Sequence, residues 1–181
     1  MDLPDTGADV RARTFAALVD RRALDAAYRT ARLILGDPSE AEDAAHDAAV
    51  VAWRRFPEMR DPDRFEAWFG RILINACRDR LRARRRLPLS VDAPGVRPLG
   101  DARATDPSDA VVRRELLGSA VRSLSQEHRE VVVLRFYADL TVEQIAERTG
   151  VRAGTVKSRL HYALRHLRAE VEAAGERRAL R

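Results

Sequence analysis

Between Leu87 and Pro107 the chain carries Pro88, Pro94, Pro98 and Pro107 together with Gly95 and Gly100, and no spacing that lays apolar side chains along one helical face. Proline fixes φ and removes a backbone donor, and glycine has nothing to pack, so LPLSVDAPGVRPLGDARATDP is predicted to be a linker. A linker of about twenty residues can hold two domains far apart. The 181 residues therefore divide into two small halves rather than one large core. The expected organisation is a first domain over 1–86, the linker over 87–107, a second domain over 108–170, and a basic, Ala-rich, frayed tail over 171–181.

Both halves show helical periodicity, which predicts an all-α fold. A helix is expected over Phe15–Leu35, with Leu24, Ala27, Tyr28, Ala31 and Leu35 on one face and Gly36 as its stop. Asp37-Pro38-Ser39-Glu40 then supplies an N-cap, a proline in the first turn and an acid at the third position, starting a helix that runs to about Phe56. Pro57 ends it, and PEMRDPDR reads as a loop. Phe65–Arg86 is a long helix whose Phe65, Trp68, Phe69, Ile72, Ala76 and Leu81 suit a core, joined there by Trp53 and Phe56. Beyond the linker, one helix is expected from about Ser108 to Leu124 and a second, capped by Ser125, from Gln126 to about Tyr137. Val132, Val133 and Phe136 of the second are expected to pack beneath the helices that follow.

Those last helices, Thr141–Arg168, read as a helix-turn-helix. Thr141 and Gln144 have the spacing of a capping box, and Gly150 stands where a left-handed C-cap is wanted. The second helix, from about Ala153 to Arg168, would bury Val156, Leu160, Leu164 and Leu167. From Arg148 to Arg168 there are Arg148, Arg152, Lys157, Arg159, Arg165 and Arg168 and no acid, a field that suits a phosphate backbone. Arg152, Thr155, Lys157, Ser158 and either His161 or Tyr162 are the side chains placed to reach base edges or phosphates. A basic helix of an ordinary bundle would have the same composition, so the remainder of the chain has to choose.

Upstream, the helix after Asp37 is acidic in its first half, with no Lys or Arg before Arg54. Asp43, His46, Asp47 and Val50 form a stripe beside the small apolar face of Ala41, Ala44, Ala48 and Val51. Acids near a helix start are favoured by its dipole, and a solvated face explains them equally. In a chain that otherwise suits DNA, such a face would repel phosphate and suit a basic protein surface. The helix over Phe65–Arg86 is a second basic element, in which aromatics near arginines fit either a core or the stacking of unpaired bases.

Net charge of +5 and a pI near 10.2 favour a polyanionic partner. Lys157 is the only lysine among 33 basic residues, which reads as a composition bias towards arginine. The acidic start MDLPDTGADV is not that of a signal peptide, and runs such as Val131–Leu134 are too short to span a membrane, so a cytoplasmic protein without membrane insertion is expected. Cys77 is a lone cysteine with no metal-ligand spacing around it. Neither a metal site, a cofactor nor a small-molecule substrate is expected, and no nucleophile sits in a polar constellation that would suggest an enzyme.

The order acidic helix, FxAWxxRIxxNxxxDxLRxRRR helix, Pro-rich linker and LSxxxREVVVLRFYxxLTxxQIAExxGVxxGTVKSRLxxALxxLR resembles a bacterial RNA polymerase sigma factor of the extracytoplasmic-function (ECF) type. The match runs from about Phe15 to Arg168, with the C-terminal string the more specific half. The resemblance implies a factor that binds core RNA polymerase and promoter DNA, and an anti-sigma factor as a further partner. It implies that Asp43, His46 and Asp47 dock on the clamp coiled coil of the largest polymerase subunit. Arg60 and Arg64 of the Glu58–Arg64 loop, with Asn75, would capture an unstacked base of the downstream (minus ten) element, while Arg78, Arg80 and Arg82 hold phosphates. Arg152, Thr155, Lys157, Ser158, Arg159 and Tyr162 match the recognition helix for the upstream (minus thirty-five) element.

The chain departs from the family pattern at several positions. Members usually carry Gln and Glu at the places of His46 and Asp47, larger aliphatics at Ala44 and Ala45, and a capping serine at Arg152. Two other functions are weighed against a sigma factor. A helix-turn-helix transcriptional regulator acting without polymerase would leave the second basic helix unexplained. A recombinase-like enzyme would need a catalytic grouping that the sequence lacks.

Overall fold

In the computed structural model the chain divides into two compact units, Met1–Pro88 and Leu89–Arg181, of which residues 7–86 and 109–179 are described. The linker expected over 87–107 lies outside the described residues. Among those described there are eight α-helices and no strand.

The first unit holds α1 (Gly7–Leu18), α2 (Arg21–Leu35), α3 (Pro38–Arg55) and α4 (Phe65–Arg86). The single helix expected over Phe15–Leu35 is therefore two. The chain breaks at Val19-Asp20, where Asp20 is extended (φ −70°, ψ 175°) and its carboxylate accepts the Ala23 N–H at 2.8 Å. A short acidic side chain that satisfies an orphan N–H competes with helix continuation, and no glycine or proline is needed to mark the break. At the other end of α2, Gly36 adopts φ 80° and its N–H donates to the Arg32 carbonyl. Asp37 then caps α3 by accepting the Glu40 N–H at 2.9 Å, with Pro38 in the first turn.

α3 packs on both α2 and α4. Its buried side chains are Ala41, Ala44, Ala45, Ala48 and Ala52, and nothing larger. The bulk of this core comes from Ile34 and Leu35 of α2 and from Phe65, Phe69, Ile72, Leu73, Ile74 and Cys77 of α4. At one end Phe15 of α1 meets Trp53, Phe56 and Phe65 edge-on, with centroids 5.2, 5.2 and 6.3 Å away. Trp53 is not the core residue expected: it is 37% exposed, with the Arg11 guanidinium 5.3 Å over its ring. Phe56 is half-buried. The segment between α3 and α4 folds as two 3-10 turns, Phe56–Glu58 and Pro62–Arg64, the second capped by Asp61.

The second unit holds α5 (Asp109–Ser123), α6 (Gln126–Phe136), α7 (Val142–Thr149) and α8 (Ala153–Ala179). α5, α6 and α7 all pack on α8. Val156 and Ala163 of α8 are fully buried, and Ala163 packs with Leu124 and Val132 in a cluster that Leu160 and Leu167 partly cover. Leu164, expected in this face, is 45% exposed. Steps of four residues drift off a 3.6-residue period, and the face closes on Ala163 instead. Phe136 likewise points outward at 61% exposure, while Val131, Val132, Val133 and Leu134 are all buried. α8 continues through the expected tail to Ala179.

Helix ends organise this unit. The Thr141–Gln144 capping box is complete: the Thr141 N–H donates to Gln144 Oε1 at 2.8 Å and the Gln144 N–H to Thr141 Oγ1 at 3.2 Å. Gly150 takes φ 69° and donates to the Ala146 carbonyl at 2.9 Å. Arg129 of α6 closes α5, donating to the carbonyls of Val121 (3.2 Å), Arg122 (2.5 Å) and Leu124 (3.2 Å). The Val121 carbonyl also accepts the Leu124 N–H at 3.3 Å, whereas the last carbonyls of a helix otherwise lack an intrahelical donor. Arg129→Ala is expected to lower the stability of this unit by about 1–3 kcal/mol, seen as a lower urea midpoint by circular dichroism; an unchanged midpoint would show that water replaces the guanidinium without loss.

Candidate nucleic-acid interfaces

After the tight turn at Gly150, α8 starts with one side against the bundle, where Val156 is fully buried, and the other side open. At 100° per residue, Val156, Leu160, Ala163 and Leu167 define the inward side, and Ser158, His161, Tyr162 and Arg165 lie opposite. All four of these are exposed. Lys157 is exposed on one flank, and Thr155 and Arg159, half-exposed, lie on the other. Ser158 donates its hydroxyl to the Thr155 carbonyl at 3.0 Å, leaving its oxygen lone pairs outward. The six positions expected at the upstream element thus sit on the first turns of one helix and the residue before it. They present guanidinium, ammonium, hydroxyl and phenol groups, the donors that phosphate and base-edge acceptors match.

One feature of this face was not legible in the spacing. His128, from α6, stacks near Tyr162 with centroids 6.5 Å apart and planes 25° from parallel, while His161 meets the same ring edge-on at 5.5 Å. No periodicity links residues 128 and 162; only the packing of α6 on α8 does. Arg152 occupies the N-cap position of α8, since its carbonyl accepts the Val156 N–H at 3.1 Å. A guanidinium has no acceptor with which to cap a helix, and a cation there opposes the helix dipole.

In the first unit the expected groups are distributed differently. Arg60 and Arg64 are exposed on the segment between α3 and α4. Asn75 and Arg82 are exposed on α4, Arg82 paired with Asp79 at 3.2 Å, and Arg78 is half-exposed. Asp43, His46 and Asp47 are all exposed on α3. Arg80 joins the two helices, its Nη1 donating to Asp43 at 3.2 Å and its Nη2 to Asp47 at 2.5 Å. One turn further along α4, Arg84 grips the Glu40 carboxylate through Nε and Nη2. The acidic stripe and the basic helix, separate in the sequence, therefore form one paired surface. Beside it an open groove of about 640 Å³ is lined by Asp47, Arg54 and Val50 from α3 and by Asn75, Asp79 and Arg80 from α4.

Two small helical units, one ending in a capped helix-turn-helix with a cationic recognition face and one pairing an acidic with a basic helix, are the architecture of a sigma factor. Residues 19–87 match the model of sigma-70 region 2 and residues 120–169 that of sigma-70 region 4, and the chain belongs to this family. Within it the relatives are of the ECF type. The RNA polymerase sigma-E factor of Streptomyces avermitilis is 34% identical over 148 residues, 82% of this chain and 80% of the relative. The ECF RNA polymerase sigma factor SigL of Mycobacterium tuberculosis is 33% identical over 151 residues, 82% and 84% of the two chains. Among solved structures, CnrH in complex with the cytosolic domain of CnrY matches with a TM-score of 0.62 and 25% identity over 91% of this chain and 96% of that one. RpoE of Bartonella quintana, solved with the anti-sigma factor NepR, shares the fold with a TM-score of 0.61 and 22% identity, over 93% and 98%. The chain is thus a sigma factor, which binds core RNA polymerase and directs it to promoters, and a regulator independent of polymerase is not favoured.

The N-cap position of α8 allows a direct check of local stability. Arg152→Ser supplies the missing acceptor and is expected to stabilise the second unit by about 1 kcal/mol in urea denaturation; a loss of stability would mean that the guanidinium makes compensating contacts.

Proposed function

We propose that the two units divide promoter recognition between them. The unit over 108–170 reads the upstream element in duplex form through Arg152, Thr155, Lys157, Ser158, Arg159 and Tyr162. The unit over 1–86 engages the melted downstream element through Arg60, Arg64, Asn75, Arg78, Arg80 and Arg82, and meets polymerase through Asp43, His46 and Asp47. The observation that carries this reading is a cationic, hydroxyl-bearing face at the start of α8, delivered by a capped helix-turn-helix. A helix so delivered fits the major groove, where its first turns approach base edges. Melting costs unstacking energy, which stacking and phosphate contacts by the first unit offset.

The protein itself performs no chemistry in this reading, since polymerase supplies catalysis. It acts in the cytoplasm, where that polymerase works; no described helix is long and apolar enough to cross a membrane. A protein partner that holds the factor inactive is part of the proposal, supported by CnrH having been solved bound to the cytosolic domain of CnrY.

Purified protein with core RNA polymerase is expected to start RNA at defined sites in a genome-wide run-off screen, and no defined start at any promoter would sink the assignment. Lys157→Ala and Arg159→Ala are each expected to weaken binding of polymerase holoenzyme to upstream-element duplex and to reduce the slope of log affinity against log salt by about 1. An unchanged slope in both variants would remove these residues from the interface. Arg152→Ser, stabilising to the fold, is expected to change which upstream sequences are preferred in a selection from random duplexes.

A further inference from the structure

Arg80 belongs to both faces of the first unit. Its two terminal nitrogens reach Asp43 and Asp47, acids one turn apart on α3, and Arg84 repeats the pairing with Glu40. The partners are unequally placed: the Arg80 side chain is 25% exposed, whereas those of Asp43 and Asp47 are 60% and 58% exposed. The carboxylates thus face solvent over a guanidinium lying partly beneath them. A carboxylate has more acceptor positions than one bond uses, so a second cation can approach from outside. Ion pairs this exposed are weak enough to be exchanged for another partner.

We propose that Arg80 is exchanged between two anions: Asp43 and Asp47 in the free protein, and a promoter phosphate once a basic surface of polymerase has taken those carboxylates. Docking on polymerase then primes the downstream DNA contact, and because such coupling is reciprocal, DNA bound at Arg80 strengthens docking. In the free factor the acids also shield Arg80 from phosphate, which holds down DNA binding before polymerase arrives. The proposal rests on the assignment of Asp43 and Asp47 to polymerase and of Arg80 to DNA made above.

The test uses the full chain with and without core polymerase and a fork DNA whose downstream element is single-stranded. Asp43→Asn and Asp47→Asn each remove one charge, as does Glu42→Gln at an exposed acid of the same helix that serves as the charge control. Each aspartate variant is expected to bind the fork about threefold more tightly than Glu42→Gln when free of polymerase, and to lose that gain when combined with Arg80→Ala. Arg80→Ala alone is expected to bind core polymerase about threefold more tightly in the absence of DNA, the opposite direction from the aspartate variants. Arg80→Gln, which keeps the stem, replaces Arg80→Ala if circular dichroism shows the latter unfolded. If the aspartate variants weaken docking, yet bind free DNA as Glu42→Gln does and Arg80→Ala leaves docking unchanged, the exchange is wrong and the site assignment stands. Unchanged docking by both aspartate variants would overturn that assignment and the exchange with it.

Discussion

The alanine-lined side of α3 is the constraint on which the first unit depends. Ala41, Ala44, Ala45, Ala48 and Ala52 are its buried side chains, and small residues at a contact bring helix axes to the close end of their packing range. The volume of the core is supplied from outside α3, by Ile34 and Leu35 on one side and the Phe65–Cys77 face of α4 on the other. Close approach has an electrostatic consequence. It brings the acidic stripe of α3 within one side chain's reach of α4, so that Arg80 and Arg84 close on Asp43, Asp47 and Glu40.

The second unit is built on a different economy, in which helix ends matter as much as the core. Among the described residues its largest fully buried side chains are Val131, Leu134, Ile145 and Val156. The Thr141–Gln144 box, the left-handed Gly150 and the Arg129 guanidinium each satisfy backbone groups that short helices leave open. Gly150 is the one of these that lies at the turn from which α8 starts. Arg152 stands at the N-cap of α8 without a capping acceptor, and a cation placed there against the helix dipole exchanges local stability for charge. Tyr162 lies between His128 and His161, with ring centroids 6.5 and 5.5 Å away.

Much of this was legible from residues alone. Helix starts at Asp37, Ser125 and Thr141 follow from side chains that accept a hydrogen bond three residues on, a local interaction that needs no tertiary partner. Gly36 and Gly150 mark helix ends because few other residues adopt positive φ readily. The break at Asp20 escaped because an aspartate is compatible both with a helix interior and with a cap, and the choice depends on how α1 and α2 pack. Spacing alone places Leu164 and Phe136 in cores, and both lie outside them; a four-residue step and a three-residue step look alike in a short window, and only the position of neighbouring helices selects between them.

By itself, then, the sequence determined the all-α class, the capped helix-turn-helix, the family and the cationic face at the start of α8, because each rests on contacts between residues near one another in the chain. Tertiary structure alone decided that Asp43 and Asp47 meet Arg80, that Glu40 meets Arg84 and that His128 lies against Tyr162. Those pairs are 33 to 44 residues apart. Charge pattern shows that opposite signs are present on two helices, but which groups come within reach is set by helix register and separation, which depend on the alanines buried along α3 in the first unit and on the Leu124, Val132 and Ala163 cluster in the second.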